Sequence, residues 1–386
     1  MYDELELRKF VVPEFVYGLD ARLLAGKYAK NLGARKALVV TDPGIIEAGW
    51  LDDILSELDS YNIKYIVFSD ISPNPRDYQV MEGVKVFKSE KCNFILAVGG
   101  GSPMDCAKGI GILSSNSGNI LDFEGVDMVA TPGPPLICIP TTAGSSADIS
   151  QFAIILNTKK RAKTAIISKT VVPDIALIDP RTLTTMKPYL AACIAMDSLT
   201  HAIEAYVSNA QSAISDVHAI EAIRLLSSNM LPALSNLDDI NMLSKLMLGS
   251  LHSGMAFSNA SLGLVHAMAH SLGGRYDLPH GECNAILLEH VVAFNFKYSP
   301  DRFRQIASAM GLNTLGKSDD EVLASLTEKL RILREGADIP SKIKCSGITS
   351  QDISILADNA LNDPCMVTNP VFPSKRDIEV LYEKIM

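Results

Sequence analysis

Short β-rich runs alternate with helical stretches through the first half of this 386-residue chain, and near residue 183 the runs stop. Lys36–Thr41 (KALVVT), Ile63–Ser69 (IKYIVFS), Asn93–Val98 (NFILAV), Leu136–Pro140 (LICIP) and Asp174–Asp179 (DIALID) read as strands. Helical patterns lie between them, as in Gly44–Leu58 and Asp77–Ser89. Strands this rich in Val and Ile suit burial on both faces. A strand–helix repeat of such strands predicts a parallel sheet covered by helices on each side. Residues 188–297 differ: they are rich in Ala, Leu, Met, His and Ser, and apolar residues recur at helical spacing, as at Ala219, Ala222, Ile223 and Leu226. The expectation is an α/β unit over residues 1–182 and an all-helical unit over 183–386, with the boundary near Asp179–Leu183 (DPRTL).

Several function classes fall away. Net charge is −9 and no Lys/Arg cluster occurs, so a nucleic-acid partner is not expected. No stretch approaches the roughly 18 uncharged apolar residues of a membrane helix, so no membrane partner is expected. The N-terminal MYDELELRKF lacks a basic region followed by an apolar one, so no secretory signal is read there. Seven cysteines (Cys92, Cys106, Cys138, Cys193, Cys283, Cys345 and Cys365) include no CxxC pair. That pattern fits reduced thiols in a cytoplasmic protein.

Two groups of residues carry chemistry. The strand ending at Val98 runs into Gly99-Gly100-Gly101-Ser102-Pro103 and then a helical pattern, Met104–Leu113. Glycines at such a turn let the backbone approach a ligand, and the new helix offers free N–H groups, which suits a pyrophosphate. The run is not GxGxxG, and a tight turn without a ligand also fits it. Asp42 follows another strand; there a carboxylate can accept from a ribose diol and repel a 2′-phosphate, or simply cap a helix. Ile139–Asp148 (IPTTAGSSAD) is a third polar turn after a strand.

The second group lies in the helical half. Asp197 and His201 are four apart in MDSLTHAIEAY and share a helix face, as do His266 and His270 in HAMAHSLGGRYDLPHG, where His280 follows. Four of the seven histidines fall between residues 266 and 290. Imidazole and carboxylate at these spacings suit a transition metal. A lone histidine on an apolar helix is usually a core residue, and His218, His252 and His290 are read that way. His270 exceeds what a four-ligand shell needs and is assigned a proton-handling role beside the metal.

Together with VVTD (39–42), PNP (73–75), GGGSPMDCAK (99–108), IPTTAG (139–144), FSNASLGLVHAMAH (257–270), PHG (279–281) and DPCMVTNP (363–370), these segments make the chain resemble the iron-containing (group III) alcohol dehydrogenase family over nearly its full length. The resemblance implies a Rossmann-like N-terminal domain, a helical C-terminal domain and a cleft between them, the dehydroquinate-synthase-like architecture. It implies a hydride transfer between a primary alcohol or its aldehyde and NAD(H). One divalent metal ion is implied, Fe2+ first and Zn2+ or Mn2+ as alternatives, on Asp197, His201, His266 and His280. The implied cofactor residues are Asp42, Asn74, Gly100, Gly101, Ser102, Thr141, Thr142 and Lys163; His270 falls near the nicotinamide, and Phe257 and Cys365 at the substrate end. A homodimer or higher homo-oligomer is the implied assembly. Where members usually read TTAGT, Gly/Ala, Ser/Ala, Glu, this chain has TTAGSSAD, so Ser145, Ser146 and Asp148 depart from the pattern. Two enzymatic rivals remain: a glycerol-dehydrogenase-like polyol enzyme, which usually takes one Asp and two His, and a dehydroquinate-synthase-like lyase. The lyase needs several basic residues, and Arg275 is the one near the motifs. A non-catalytic regulatory protein is disfavoured because all four donors are present.

Overall fold

The computed structural model describes residues 8–343 and 348–386; Cys345 lies outside them. In chain order the first half gives β1 (Glu14–Tyr17), α1 (Ala25–Asn31), β2 (Lys36–Val40), α2 (Pro43–Glu47), α3 (Trp50–Ser60), β3 (Lys64–Phe68), α4 (Asp77–Ser89), β4 (Phe94–Gly99), α5 (Gly101–Ser115), β5 (Gly125–Val126), β6 (Leu136–Pro140), β7 (Phe152–Asn157), β8 (Ala162–Ile167) and β9 (Ile175–Ile178). A 3-10 turn, Pro180–Thr185, leads into α6 (Pro188–Val207), α7 (Ala213–Ser235), α8 (Ile240–Ala260), α9 (Leu264–Tyr276), α10 (His280–Asn295), α11 (Pro300–Ala309), α12 (Asp319–Gly336), α13 (Ser350–Leu361) and α14 (Lys375–Ile385). Among the described residues no strand follows β9, and no helix is long and apolar enough to cross a membrane.

Six strands form one parallel sheet in the order β1-β9-β6-β4-β2-β3. Alternate residues of each strand feed opposite cores, as a period of two requires. Leu38, Val40, Ile95 and Ala97 pack with α4 and α5 residues such as Val80, Val84 and Ile110. Ala37, Val39, Phe94, Leu96 and Val98 pack with Ala25, Ala29, Ile54 and Leu58 from α1 and α3. The chain goes from β2 to β3 on one side and then crosses back to β4 on the other. The strand order therefore reverses between β2 and β4, and ligands of open parallel sheets bind beyond the carboxyl ends of strands at such a point.

Three local features differ from expectation. The helix expected over Gly44–Leu58 is divided into α2 and α3 by Gly49, whose φ of 81° lies in the left-handed region. Strand β1 pairs with β9 at the sheet edge. A second, three-stranded sheet, β5-β8-β7, contains an antiparallel β7–β8 hairpin that the sequence reading did not anticipate. The helical half packs around one large core, and Ala143, Ile149, Phe152, Ala176 and Ile178 from the α/β half join it. The six described cysteines are all buried and unpaired.

Candidate active site

The loops after β2, β4 and β6 open onto a cleft of about 810 Å3, whose opposite wall is built by α6, α8, α9 and the start of α10. Asp42, Asn74, Gly100, Gly101, Ser102, Thr141, Thr142, Lys163, Asp197, His201, Phe257, His266, His270 and His280 all line it. Cys365 does not; it is buried one layer back, beside Asp363 and His270.

The α/β wall is shaped for close approach. Gly99 holds φ 147°, and a Cβ there would stand 2.8 Å from Pro103 Cγ. A Cβ on Gly101 would stand 2.9 Å from Ser145 Oγ. The turn thus keeps a cradle free of side chains at the N-terminus of the 15-residue helix α5, where unpaired N–H groups favour an anion. Thr141, from the next loop, keeps a buried hydroxyl without a hydrogen-bond partner. Asp42 caps α2, its Oδ1 accepting from Ile45 N at 3.1 Å, and still faces the cleft, so capping and a ribose contact are compatible. Asn74 sits at φ 56° and its amide donates to Asp277 Oδ1 at 2.9 Å, joining this loop to the end of α9. Lys163, on β8, lies against Gly273 of α9; burial lowers its ammonium pKa, against the pull of Asp197 and other neighbours. Asp105, on the second turn of α5, also lines the cleft, and burial pushes its carboxyl up to about 7 against Lys108 and Lys163. Neither the Gly-rich turn nor residue spacing had singled it out.

On the helical wall, Asp197 and His201 sit one turn apart on α6, His266 and His270 on α9, and His280 opens α10. Asp197 Oδ1 lies 3.7 Å from His266 Nε2, 3.8 Å from His280 Nε2 and 4.0 Å from His201 Nε2. A tetrahedral shell with bonds of about 2.1 Å has ligand separations of roughly 3.4 Å. The three distances from Asp197 are slightly wider than that. Donor atoms of Asp197, His201 and His266 all fall within 4.8 Å of one another; His280 approaches Asp197 but is not part of that mutually close group.

Burial raises the Asp197 carboxyl, but His201, His280 and His266 outweigh it and hold the pKa far below the usual carboxylate range. Burial lowers His201 to about 3, and burial with Lys163 lowers His280 well below its ordinary value, so both rings are neutral electron-pair donors. Burial also acts downward on His266, but Glu204 and Asp197 raise it to about 9. Glu204 Oε2 accepts from His266 Nδ1 at 2.6 Å, which leaves Nε2 for the cluster. The donor set of one carboxylate and three imidazoles fits a divalent metal of the iron or zinc type. Glu204 had not been singled out, although it lies in the same MDSLTHAIEAY segment, two turns beyond Asp197.

His270 stands apart from that set. Its Nδ1 bonds Asp363 Oδ2 at 2.9 Å, which leaves Nε2 as the proton-accepting nitrogen, and its ring stacks on His280 at 5.2 Å. Phe257 stacks on His201 at 4.3 Å and gives the cleft an apolar wall. The departures at 145–148 divide: Ser145 faces the cleft, whereas Ser146 turns its hydroxyl to Ser250 O at 3.0 Å. Gly254 makes room for it, since a Cβ there would stand 2.5 Å from Ser146 Cβ. Asp148 is buried near Lys108, and burial pushes its carboxyl up to about 6.

Residues 13–180 match the family model described as "Iron-containing alcohol dehydrogenase", and residues 191–386 that of the "Fe-containing alcohol dehydrogenase family, C-terminal". The chain is 37% identical over 378 residues to 1,3-propanediol dehydrogenase of Citrobacter freundii, covering 97% of this chain and 98% of that protein. It is 35% identical over 369 residues to the NAD-dependent methanol dehydrogenase of Bacillus methanolicus, covering 96% and 97%. The crystal structure of a 1,3-propanediol oxidoreductase superposes with a TM-score of 0.95 at 35% identity, covering 99% of this chain and 100% of that one.

Proposed function

The chain belongs to the iron-containing alcohol dehydrogenase family, and from that premise we propose an NAD(H)-dependent oxidoreductase that interconverts a small primary alcohol and its aldehyde. We assign the metal to Asp197, His201, His266 and His280. The observation that carries this reading is the convergence of those four donors on the same cleft as the cradle at Gly100–Ser102. When bound, the metal supplies Lewis-acid polarisation of an alcohol or carbonyl oxygen, and the nicotinamide supplies the hydride-accepting carbon.

The protein's own groups do the rest. The backbone N–H groups opening α5, with Gly100, Gly101 and Ser102, hold a pyrophosphate, and Thr141, Thr142, Asn74 and Lys163 extend that surface along the cleft. Asp42 accepts from a ribose diol and repels a 2′-phosphate; two like charges about 4 Å apart at an effective dielectric near 20 cost roughly 4 kcal/mol, an upper figure for a group at the cleft edge. Phe257 excludes water beside His201 and limits the room for substrate. His270, fixed by Asp363, accepts the alcohol proton at Nε2 and returns it in the reverse direction. Fe2+ is the proposed native metal, with Zn2+ and Mn2+ as alternatives, and a cytoplasmic homodimer or higher homo-oligomer the proposed assembly.

The test is NADH formation by anaerobically Fe2+-loaded protein with a series of short primary alcohols and diols, and NADH oxidation with the matching aldehydes. Turnover of at least one pair, with NAD(H) preferred over NADP(H), is expected. A metal-loaded protein inert toward the whole series in both directions would overturn the reading.

A further inference from the structure

Asn284 lies one turn beyond His280 on α10 and is fully buried. Its Nδ2 is 2.6 Å from Asp197 Oδ1, 3.1 Å from His266 Nε2 and 3.3 Å from His280 Nε2, while its Oδ1 is buried without a partner. One amide nitrogen therefore touches three of the four donors assigned to the metal. The amide orientation follows from the chemistry: a carbonyl oxygen turned toward Asp197 would set two acceptors 2.6 Å apart, so the N–H group must face the carboxylate. A short bond from a neutral donor to a buried carboxylate is charge-assisted.

We propose that Asn284 is a positioning residue for the metal site: its Nδ2–H group holds the Asp197 carboxylate against the face bounded by His266 and His280, ordering the donors before the ion enters. The residue type matters. A carboxylate at position 284 would add a second negative charge beside Asp197. An apolar residue would leave the Asp197 oxygen to be ordered at the moment of binding. Asparagine does neither: it adds no charge beside Asp197 and lets His266 Nε2 and His280 Nε2 turn from the amide to the ion. This inference rests on the proposed metal assignment. It explains why α10 keeps a fully buried amide with an orphaned carbonyl. Removing outer partners of metal ligands typically lowers metal affinity by about 10–100-fold.

The test uses the full-length protein stripped of metal and titrated with Co2+ against a competing chelator, with the visible cobalt spectrum as a second readout and thermal unfolding as a fold control. Wild type is expected to bind one equivalent. Asn284→Ala, and Asn284→Leu, which keeps the shape but has no donor, are expected to bind one equivalent with a Kd raised about 10–100-fold and an altered cobalt spectrum. The Leu variant decides the question should the Ala variant fail to fold. A folded variant with wild-type Kd and spectrum would overturn the proposal. Asp197→Ala separates it from the underlying assignment: if that variant binds Co2+ as wild type does, the ligand set itself is wrong.

Discussion

Glu204 Oε2 lies 2.6 Å from His266 Nδ1, and the same carboxylate accepts the backbone N–H groups of Gly263 at 3.0 Å and Val265 at 2.6 Å. One buried side chain on α6 thus caps the start of α9 and fixes the ring that α9 presents to the cleft. Glu204→Gln keeps an acceptor but removes the charge and the preference for a donating Nδ1. It is expected to lower metal affinity by about 10–100-fold. Metal retained after dialysis against a chelator, read beside Tm, checks this; unchanged retention would make Glu204 a helix cap and nothing more.

Asp42 tests the cofactor choice. Asp42→Gly is expected to lower the NAD(H)-to-NADP(H) ratio of kcat/KM at least about tenfold by removing the repulsion toward a 2′-phosphate. Replacing an N-cap aspartate by glycine costs only a few tenths of a kcal/mol, so the fold is not at issue. A ratio unmoved in the variant would place the ribose elsewhere.

His270 is one turn beyond His266, and its Nδ1 is engaged by Asp363. His270→Ala is expected to keep full metal occupancy and lose about 10²–10⁴ in turnover. A variant that purifies without metal would move this residue into the ligand set; one with wild-type turnover would make it a packing residue.

Away from the cleft, His218 Nδ1 and His252 Nδ1 lie 3.0 Å apart, with Phe10 stacked on His218 and Glu221 and Arg224 nearby. Burial lowers both rings below the ordinary 6.5, and His218 lowers His252 further. Their folded-state values are depressed, so the unfolded chain takes up protons first as pH falls. Stability from the neutral pair is complete above about pH 6.5 and is lost as pH falls through the folded values. His252→Gln is expected to lose less Tm than wild type between about pH 7.5 and about pH 5.5. Parallel Tm curves for the two proteins would contradict this.

The parallel sheet was legible because its central strands are apolar on both faces, and α4 began and ended where its pattern did. The β7–β8 hairpin was not. Its run FAIIL has no alternation, and its turn, NTKKR, carries no Asn-Gly or Asp-Gly signal. Instead Arg161 adopts φ 50°. Of the proposed metal donors, Asp197 and His201 were legible as an i, i+4 pair on one helix face; His266 pairs at that spacing with His270, which the proposed set leaves out, and the full set of four came from the family resemblance. Glu204 and Asn284 sit on the same helices, but their contacts appear only when α6, α9 and α10 are packed, since Glu204 reaches His266 and Asn284 reaches Asp197, each on another helix. Ser146 is intelligible only beside Gly254, 108 positions away in sequence.

If one metal ion on these four donors sustains hydride transfer with NAD(H), His280→Ala removes metal and turnover together. His280 opens α10 at the cleft and remains partly exposed, so truncation should spare the core. Metal content per chain and NADH formation are measured together on anaerobically purified wild type and variant. One metal per chain with turnover is expected in wild type. In a variant of near-wild-type Tm, both are expected to be lost. A His280→Ala protein that keeps its metal and full activity would contradict that expectation.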